Sequence, residues 1–358
     1  MVAAWRRGLM KGIRIALFVA VAWSASASTA QAPPPLEIYW IDVEGGASTL
    51  IVTPQRQSIL MDAGWAGFED RDARRIEHVI RHEAGLARID FALLSHFHGD
   101  HAGGFSALSR RVPIGAFYDH GPTVETTPAA KALFDEYASL AGDRRRVAKP
   151  GDRLPLTGVD LTIVAAHSQV LSAPLSGGGP NPLCGTFKPQ ATDAGENGKS
   201  MGYVLRAGTF AFANLGDLSW NFQHPLACPV NLLGQVDIFQ VTHHGVRDDV
   251  LPQQMWAMAP TVAVMNNGPA KGAGAGGVET VFSSPGIQDL WSLHRLIAND
   301  VAHNAREWLT ANLGATDACK GAWIRARVRS DGTYALFNSR NGYTRTYRVR
   351  AAPRTLLR

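Results

Sequence analysis

Only three cysteines occur in the 358 residues, and three cannot all pair within one chain, so a small disulfide-framed scaffold is excluded. Charged residues make up 18%, too few for a charge-laced coiled coil, and the hydrophobic share of 46% is too high for a disordered chain. The 36 glycines and 20 prolines are too dispersed for collagen, and no repeat of fixed period is present. Only one stretch, near the N-terminus, is apolar enough to suggest contact with a membrane. What remains is enough chain for one large domain or two ordinary ones with a substantial core, and nothing in the sequence marks a second domain.

The N-terminal stretch has the layout of a secretory signal over residues 1–30. A basic opening (Arg6, Arg7, Lys11, Arg14) precedes an apolar run from Ile15 to Trp23, and small residues follow to Ala30. Cleavage after Ala27 or Ala30 would send the mature protein to the periplasm or the exterior, with no membrane contact afterwards. The alternative is an uncleaved anchor. Arg6 to Lys11 also resembles a twin-arginine export motif, without the usual serine before the pair. Removing the signal leaves 31 basic against 30 acidic residues, so the apparent basicity of the whole chain is weak evidence for a nucleic-acid partner. No stable nucleic-acid complex is expected. Export permits a disulfide, and the expected pair is Cys184 with Cys228, one in a Gly/Pro-rich loop and the other following a second loop.

From Leu36 to about residue 350 the pattern is that of one α/β domain. Short strands are expected at Leu36–Val43, Ala47–Val52 and Ser58–Met61, followed by a helix over Asp72–Glu83 and a buried strand at Ile89–Leu94. Further strands are expected at 160–165, 201–206, 209–214, 236–242 and 261–265, with a closing set between Trp323 and Val349. Residues 176–200 and 268–277 read as long loops, and residues 284–313 as a helix or two.

The chemistry gathers at the end of the Ile89–Leu94 strand. Ser95-His96-Phe97-His98-Gly99-Asp100-His101 holds an H-x-H-x-D-H pattern on a loop whose position the sheet fixes. His96 and His98 can reach one metal while Asp100 and His101 reach a second. Imidazole and carboxylate donors of this kind suit Zn²⁺, with Mn²⁺ or Fe as alternatives. Trp65 and Trp220 each fall just after an aspartate motif and are read as lining the pocket or as core packing. His120, after a short strand, is read as a substrate contact or proton donor, or else as an ordinary loop histidine. Lys271, beyond the Asn266-Asn267-Gly268-Pro269 turn, is a candidate cation for an anionic substrate, or a solvated lysine.

This pattern resembles the metallo-β-lactamase-fold hydrolases, which implies a four-layer αββα sandwich. The resemblance extends to Asp62, matching an aspartate that orients the metal ligands from behind them, and to Asp217, matching a carboxylate that bridges two metals. Val241-Thr242-His243-His244-Gly245 matches the last histidine motif, where either His243 or His244 binds the second metal. His167 stands where the third histidine of the first site is expected, as a ligand or else as a polar loop residue, since ComEC-like members often carry a different residue there. Within the superfamily, Trp40 to Gly46, Asn197 to Ser200 and the His243-His244-Gly245 triplet are most similar to the soluble hydrolase domain of the ComEC/Rec2 channel family. Glu44, Ala47 and Val246 depart from that pattern.

The resemblance implies an exported dinuclear hydrolase acting on small-molecule or polymer esters, phosphoesters first and lactones or amides second. Its nucleophile would be a hydroxide bridging the metals, with Asp100 and Asp217 holding the pair and relaying the proton. Redox chemistry on the same fold is disfavoured by His98, where diiron relatives carry a carboxylate. A non-catalytic, metal-stabilised binding protein is the remaining class.

Overall fold

A computed structural model describes residues 1–2, 33–246 and 249–350. The expected signal segment lies outside the described residues. The chain divides into two units, Met1–Ala32 and Pro33–Arg358, and the described strands and helices all belong to the second. Among the described residues, no helix is long and apolar enough to cross a membrane.

The first half of the domain runs β1 (Leu36–Trp40), β2 (Thr49–Val52), β3 (Ser58–Met61), α1 (Arg71–His78), β4 (Ile89–Leu93), α2 (Gly99–Ala102), α3 (Phe105–Ser109), β5 (Ile114–Asp119), α4 (Pro128–Ala141) and β6 (Arg145–Val147). The second runs β7 (Asp160–Ala166), β8 (Gln169–Val170), β9 (Gly179–Pro180), β10 (Gly202–Ala207), β11 (Phe210–Asn214), α5 (Trp220–Ala227), β12 (Val230–Asn231), β13 (Ile238–Gln240), α6 (Pro252–Met258), β14 (Val262–Met265), α7 (Ala275–Phe282), β15 (Asp289–His294) and β16 (Thr310–Asn312). Then β17 (Ile324–Val328), β18 (Thr333–Asn338) and β19 (Thr344–Arg348) return to the first sheet.

That sheet has nine strands in the order β19-β18-β17-β1-β2-β3-β4-β5-β6, and the second has eight in the order β16-β15-β14-β13-β11-β10-β7-β8. In β1, Trp40 and Ile38 face one way and Tyr39 the other, and all three are fully buried, as a strand covered on both sides requires. Trp40, Ile51, Met61 and Leu93 meet Tyr203, Phe212, Ile238, Val264 and Trp291 of the second sheet in the middle layer. Tyr39, Leu60, Ala92 and Phe117 pack outward against Ile76 of α1, Phe105 of α3 and Tyr137 of α4. Val204, Ala213, Phe239 and Ala263 pack outward against Leu226 of α5, Met255 of α6 and Val278 of α7. Helices on two back-to-back sheets make the expected αββα sandwich. Trp40 Nε1 and Thr49 Oγ1 both donate to Gln240 Oε1 across the middle layer, at 3.0 and 2.7 Å, which fixes how the sheets sit on each other.

Two expectations are corrected. Residues 284–313 hold no long helix: Asp289–His294 is a wholly buried parallel strand beside β14, and Thr310–Asn312 adds the edge strand. The helix comes earlier, as α7, whose start at Ala275 overlaps the stretch read as a Gly-rich loop. The long helix α4, capped by Thr127 with Pro128 in its first turn, had no counterpart among the expected elements. Cys184 and Cys228 form the expected disulfide, and Cys319 is free.

Candidate metal centre

β3, β4 and β5 run parallel, as do β11, β13 and β14, so their carboxyl ends deliver loops to the same side of each sheet. Past β4 the chain alternates. Phe97 turns into the helix-side core, with its ring 5.0 Å from that of Phe134 and 5.4 Å from that of Tyr137, while His96 and His98 are left to converge. His96 Nε2 lies 3.0 Å from His98 Nδ1.

α2 then turns Asp100 and His101 inward. Asp100, His101, Asp217 and His244 each offer one donor atom, and the four atoms lie within 4.8 Å of one another, all in buried residues. His101 Nε2 is 3.2 Å from Asp217 Oδ2 and 3.3 Å from Asp100 Oδ2, and His244 Nε2 is 3.3 Å from both carboxylates. Asp217 Oδ2 is also 4.0 Å from His96 Nε2, so one carboxylate oxygen faces both groups of histidines.

The imidazoles are held from behind. His101 Nδ1 is 2.9 Å from Asp62 Oδ2, and Asp62 also accepts from the Ser95 amide and hydroxyl at 2.8 and 2.9 Å. His244 Nδ1 donates to the Asn266 carbonyl at 3.1 Å. These contacts leave Nε2 of His101 and of His244 pointing at the centre. His243 and His244 both take left-handed backbone angles, φ 49° and 53°, a turn that bulky residues rarely adopt and that sends the two rings apart.

The charge balance calls for a cation. Burial opposes ionisation of Asp217, yet His101, His244 and His243 outweigh it and hold the carboxyl well below its usual range. Burial also opposes charge on His101, and Asp217, Asp100 and Asp62 overcome it to raise that imidazole well above its ordinary value. His96 goes the other way: burial and then the repulsion of His101 push it down, leaving a neutral ring. Imidazole and carboxylate donors buried together fit a divalent metal, which would take the place of the proton on His101. Lys271 Nζ pairs with Asp100 and lies 5.3 Å from the Trp65 ring centre.

The other expected site residues separate. His244 joins the four-donor set. His243 stays outside it, with Nε2 3.6 Å from Asp217 Oδ2 and 3.4 Å from Asn197 Nδ2, and Nδ1 paired with Asp249. His167 is exposed and stacks on His120 at 5.8 Å; among the described residues, no hydrogen bond or ion pair joins it to His96, His98 or Asp217. His120 is 2% exposed, with Nε2 2.9 Å from Glu196 Oε2 and Nδ1 without a hydrogen-bond partner. Trp65 lies against Gly99 and Lys271 at the edge of the ligand loop. Trp220 donates from Nε1 to the Lys188 carbonyl at 2.9 Å and stacks on Phe187, holding the 176–200 loop.

Three neighbours escaped the sequence reading. Glu125 Oε1 lies 3.8 Å from His98 Nε2, Asp249 orients His243, and Glu196 gathers the amides of Phe97 and Val124 with the Thr123 hydroxyl and His120. None stands at a recognisable spacing from its partner.

Residues 41–187 match the family described as the metallo-beta-lactamase superfamily. A coenzyme F420H(2) oxidase of Methanothermobacter marburgensis is 31% identical over 105 residues, which cover 29% of this chain and 24% of that protein. Recombination protein 2 of Haemophilus influenzae is 24% identical over 238 residues, 66% of this chain and 24% of that protein. The chain thus spans about a quarter of the length of these curated relatives. The metallo-beta-lactamase fold protein YhfI from Bacillus subtilis covers 72% of this chain and 96% of its own, at 11% identity and a TM-score of 0.45. The family match takes in the whole H-x-H-x-D-H loop, so the stretch of the chain that supplies the first ligand group is similar to a metallo-beta-lactamase superfamily domain.

Proposed function

We propose that the chain is an exported hydrolase that uses two divalent ions, Zn²⁺ foremost, and acts on phosphoesters. The observation that carries the reading is the position of Asp217, whose Oδ2 faces His101 and His244 on one side and His96, with its neighbour His98, on the other. His96 and His98 would hold one ion, Asp100, His101 and His244 the other, and Asp217 would be shared. Bound there, such ions acidify a coordinated water and polarise an ester oxygen.

The chain's own residues supply the rest. Asp62 and the Asn266 carbonyl fix which nitrogen of His101 and His244 faces the centre. His243, backed by Asp249, is placed to carry a proton to the leaving group: burial opposes its charge, but Asp217 and Asp249 outweigh this and raise it. Lys271, beside the Trp65 ring at the edge of the centre, supports an anionic substrate over a neutral one. The Cys184–Cys228 disulfide supports an oxidising compartment, and hence export.

Lactones or amides are the second substrate class. Turnover of bis(p-nitrophenyl) phosphate and of a simple lactone, by protein loaded with Zn²⁺ or Mn²⁺, separates the two. Phosphodiester turnover that falls at least ~100-fold in His98→Ala and Asp217→Ala, with the circular dichroism unchanged, is the expected result. Lactone turnover alone would move the substrate class, and iron-dependent colour with redox activity would replace the hydrolytic reading.

A further inference from the structure

A second group of donors lies outside this centre. Asp42 and Glu44 follow β1, His294 closes β15, and Cys319 precedes β17. Each offers one atom, and the four atoms lie within 4.8 Å of one another. His294 Nε2 is 2.7 Å from Asp42 Oδ1 and 3.9 Å from Glu44 Oε2, and Cys319 Sγ is 3.0 Å from Asp42 Oδ2.

Two features separate this group from an ordinary polar cluster. Glu44 Oε2 has no hydrogen-bond partner although its side chain is only 4% exposed, and it faces His294. A buried carboxylate oxygen without a donor carries a desolvation cost that a bound cation would offset. Arg75 NH1 binds Asp42 Oδ2 at 2.9 Å and Glu44 Oε1 at 3.0 Å, so one guanidinium holds both carboxylates from behind. That is the supporting role a ligating carboxylate needs.

We propose that Asp42, Glu44, His294 and Cys319 form a mononuclear site for a divalent cation of the zinc class, separate from the His/Asp centre and structural in role. One sulfur, one nitrogen and two oxygen donors with no open protein position suit a closed tetrahedral ion. Two carboxylates, a thiolate, Arg75 and a doubly charged ion sum to neutrality. Binding transfers the Cys319 thiol proton to solvent as the metal–sulfur bond forms. In the free protein, burial and then Asp42 raise the Cys319 thiol, so the ion supplies what the thiolate lacks. Such an ion separates its donors by roughly 3.3–3.8 Å, so the Asp42–His294 and Asp42–Cys319 contacts open slightly on binding. Cys319 also lines a cleft of about 410 Å³, a path to solvent. The site would join the turn after β1 to the approach to β17 and to the end of β15, linking both sheets.

Cobalt tests this directly, because the His/Asp centre contains no sulfur and Cys184 is bonded to Cys228. Co²⁺-loaded full-length protein should show a thiolate-to-cobalt charge-transfer band in the near ultraviolet. The band should persist in Asp217→Ala and vanish in both Cys319→Ser and Glu44→Gln, each losing one metal ion per chain. Should Cys319→Ser fail to fold, the wild-type thiol is titrated with a disulfide reagent, and Zn²⁺ should shield it until chelator is added. Absence of the band, its survival in Cys319→Ser or Glu44→Gln, or a thiol indifferent to Zn²⁺ would overturn the proposal.

Discussion

His243 and His244 are neighbours in sequence and part in space, because two successive left-handed residues send their rings in different directions. His244→Ala removes a donor and should lower metal content. His243→Ala and Asp249→Asn should keep the metals and lower kcat by about 10²–10⁴-fold, the usual range for losing a positioned proton donor. Metal analysis beside steady-state kinetics checks both, and loss of metal in His243→Ala would reverse the assignment. The ligand loop was legible because its donors are contiguous, and the partition of the two histidines was not, because backbone angles decide it. His120 shows the same limit: its partner Glu196 lies 76 residues away, and only folding reveals that its Nε2 is taken by that contact.

At the scale of elements, the 176–200 loop is tied down at three points, by the Cys184–Cys228 bond, by Trp220 against Phe187, and by Glu196 beneath the ligand loop. Cys184→Ala/Cys228→Ala should cost roughly 2–4 kcal/mol, read as a lower midpoint in urea. Glu196 contributes in a pH-dependent way. Burial would raise its carboxyl, but His120 and the amides of Phe97 and Val124 outweigh this and bring it to about 2, from an ordinary 4.5. A folded value below the unfolded one gives stability that is complete above about 4.5 and is lost as pH falls towards 2. Melting temperature between pH 5 and pH 2.5 should therefore fall more steeply in the wild type than in Glu196→Gln, and parallel curves would remove Glu196 from the account. The disulfide was readable from which loops the cysteines occupy. The strand at Asp289–His294 was not, because Asp-Leu-Trp-Ser-Leu-His shows no alternation when both faces are buried.

For the whole molecule, the sandwich exists to bring loops from two sheets together. Asp62 and the H-x-H-x-D-H loop come from the first sheet, while Asp217 and His244 come from the second. The middle layer is accordingly wide and aromatic, and Trp40 with Thr49 on Gln240 locks the sheets in one relation. That architecture was legible from motif order, since each ligand group follows a buried strand. The central claim is that both groups of histidines act through a shared Asp217. The most direct measurement is phosphodiester turnover against equivalents of Zn²⁺ added to metal-free Cys319→Ser protein, which removes the proposed third site. The account predicts that activity continues to rise to two equivalents and that His98→Ala stays inactive at any loading; full activity at one equivalent, or activity in His98→Ala, would contradict it.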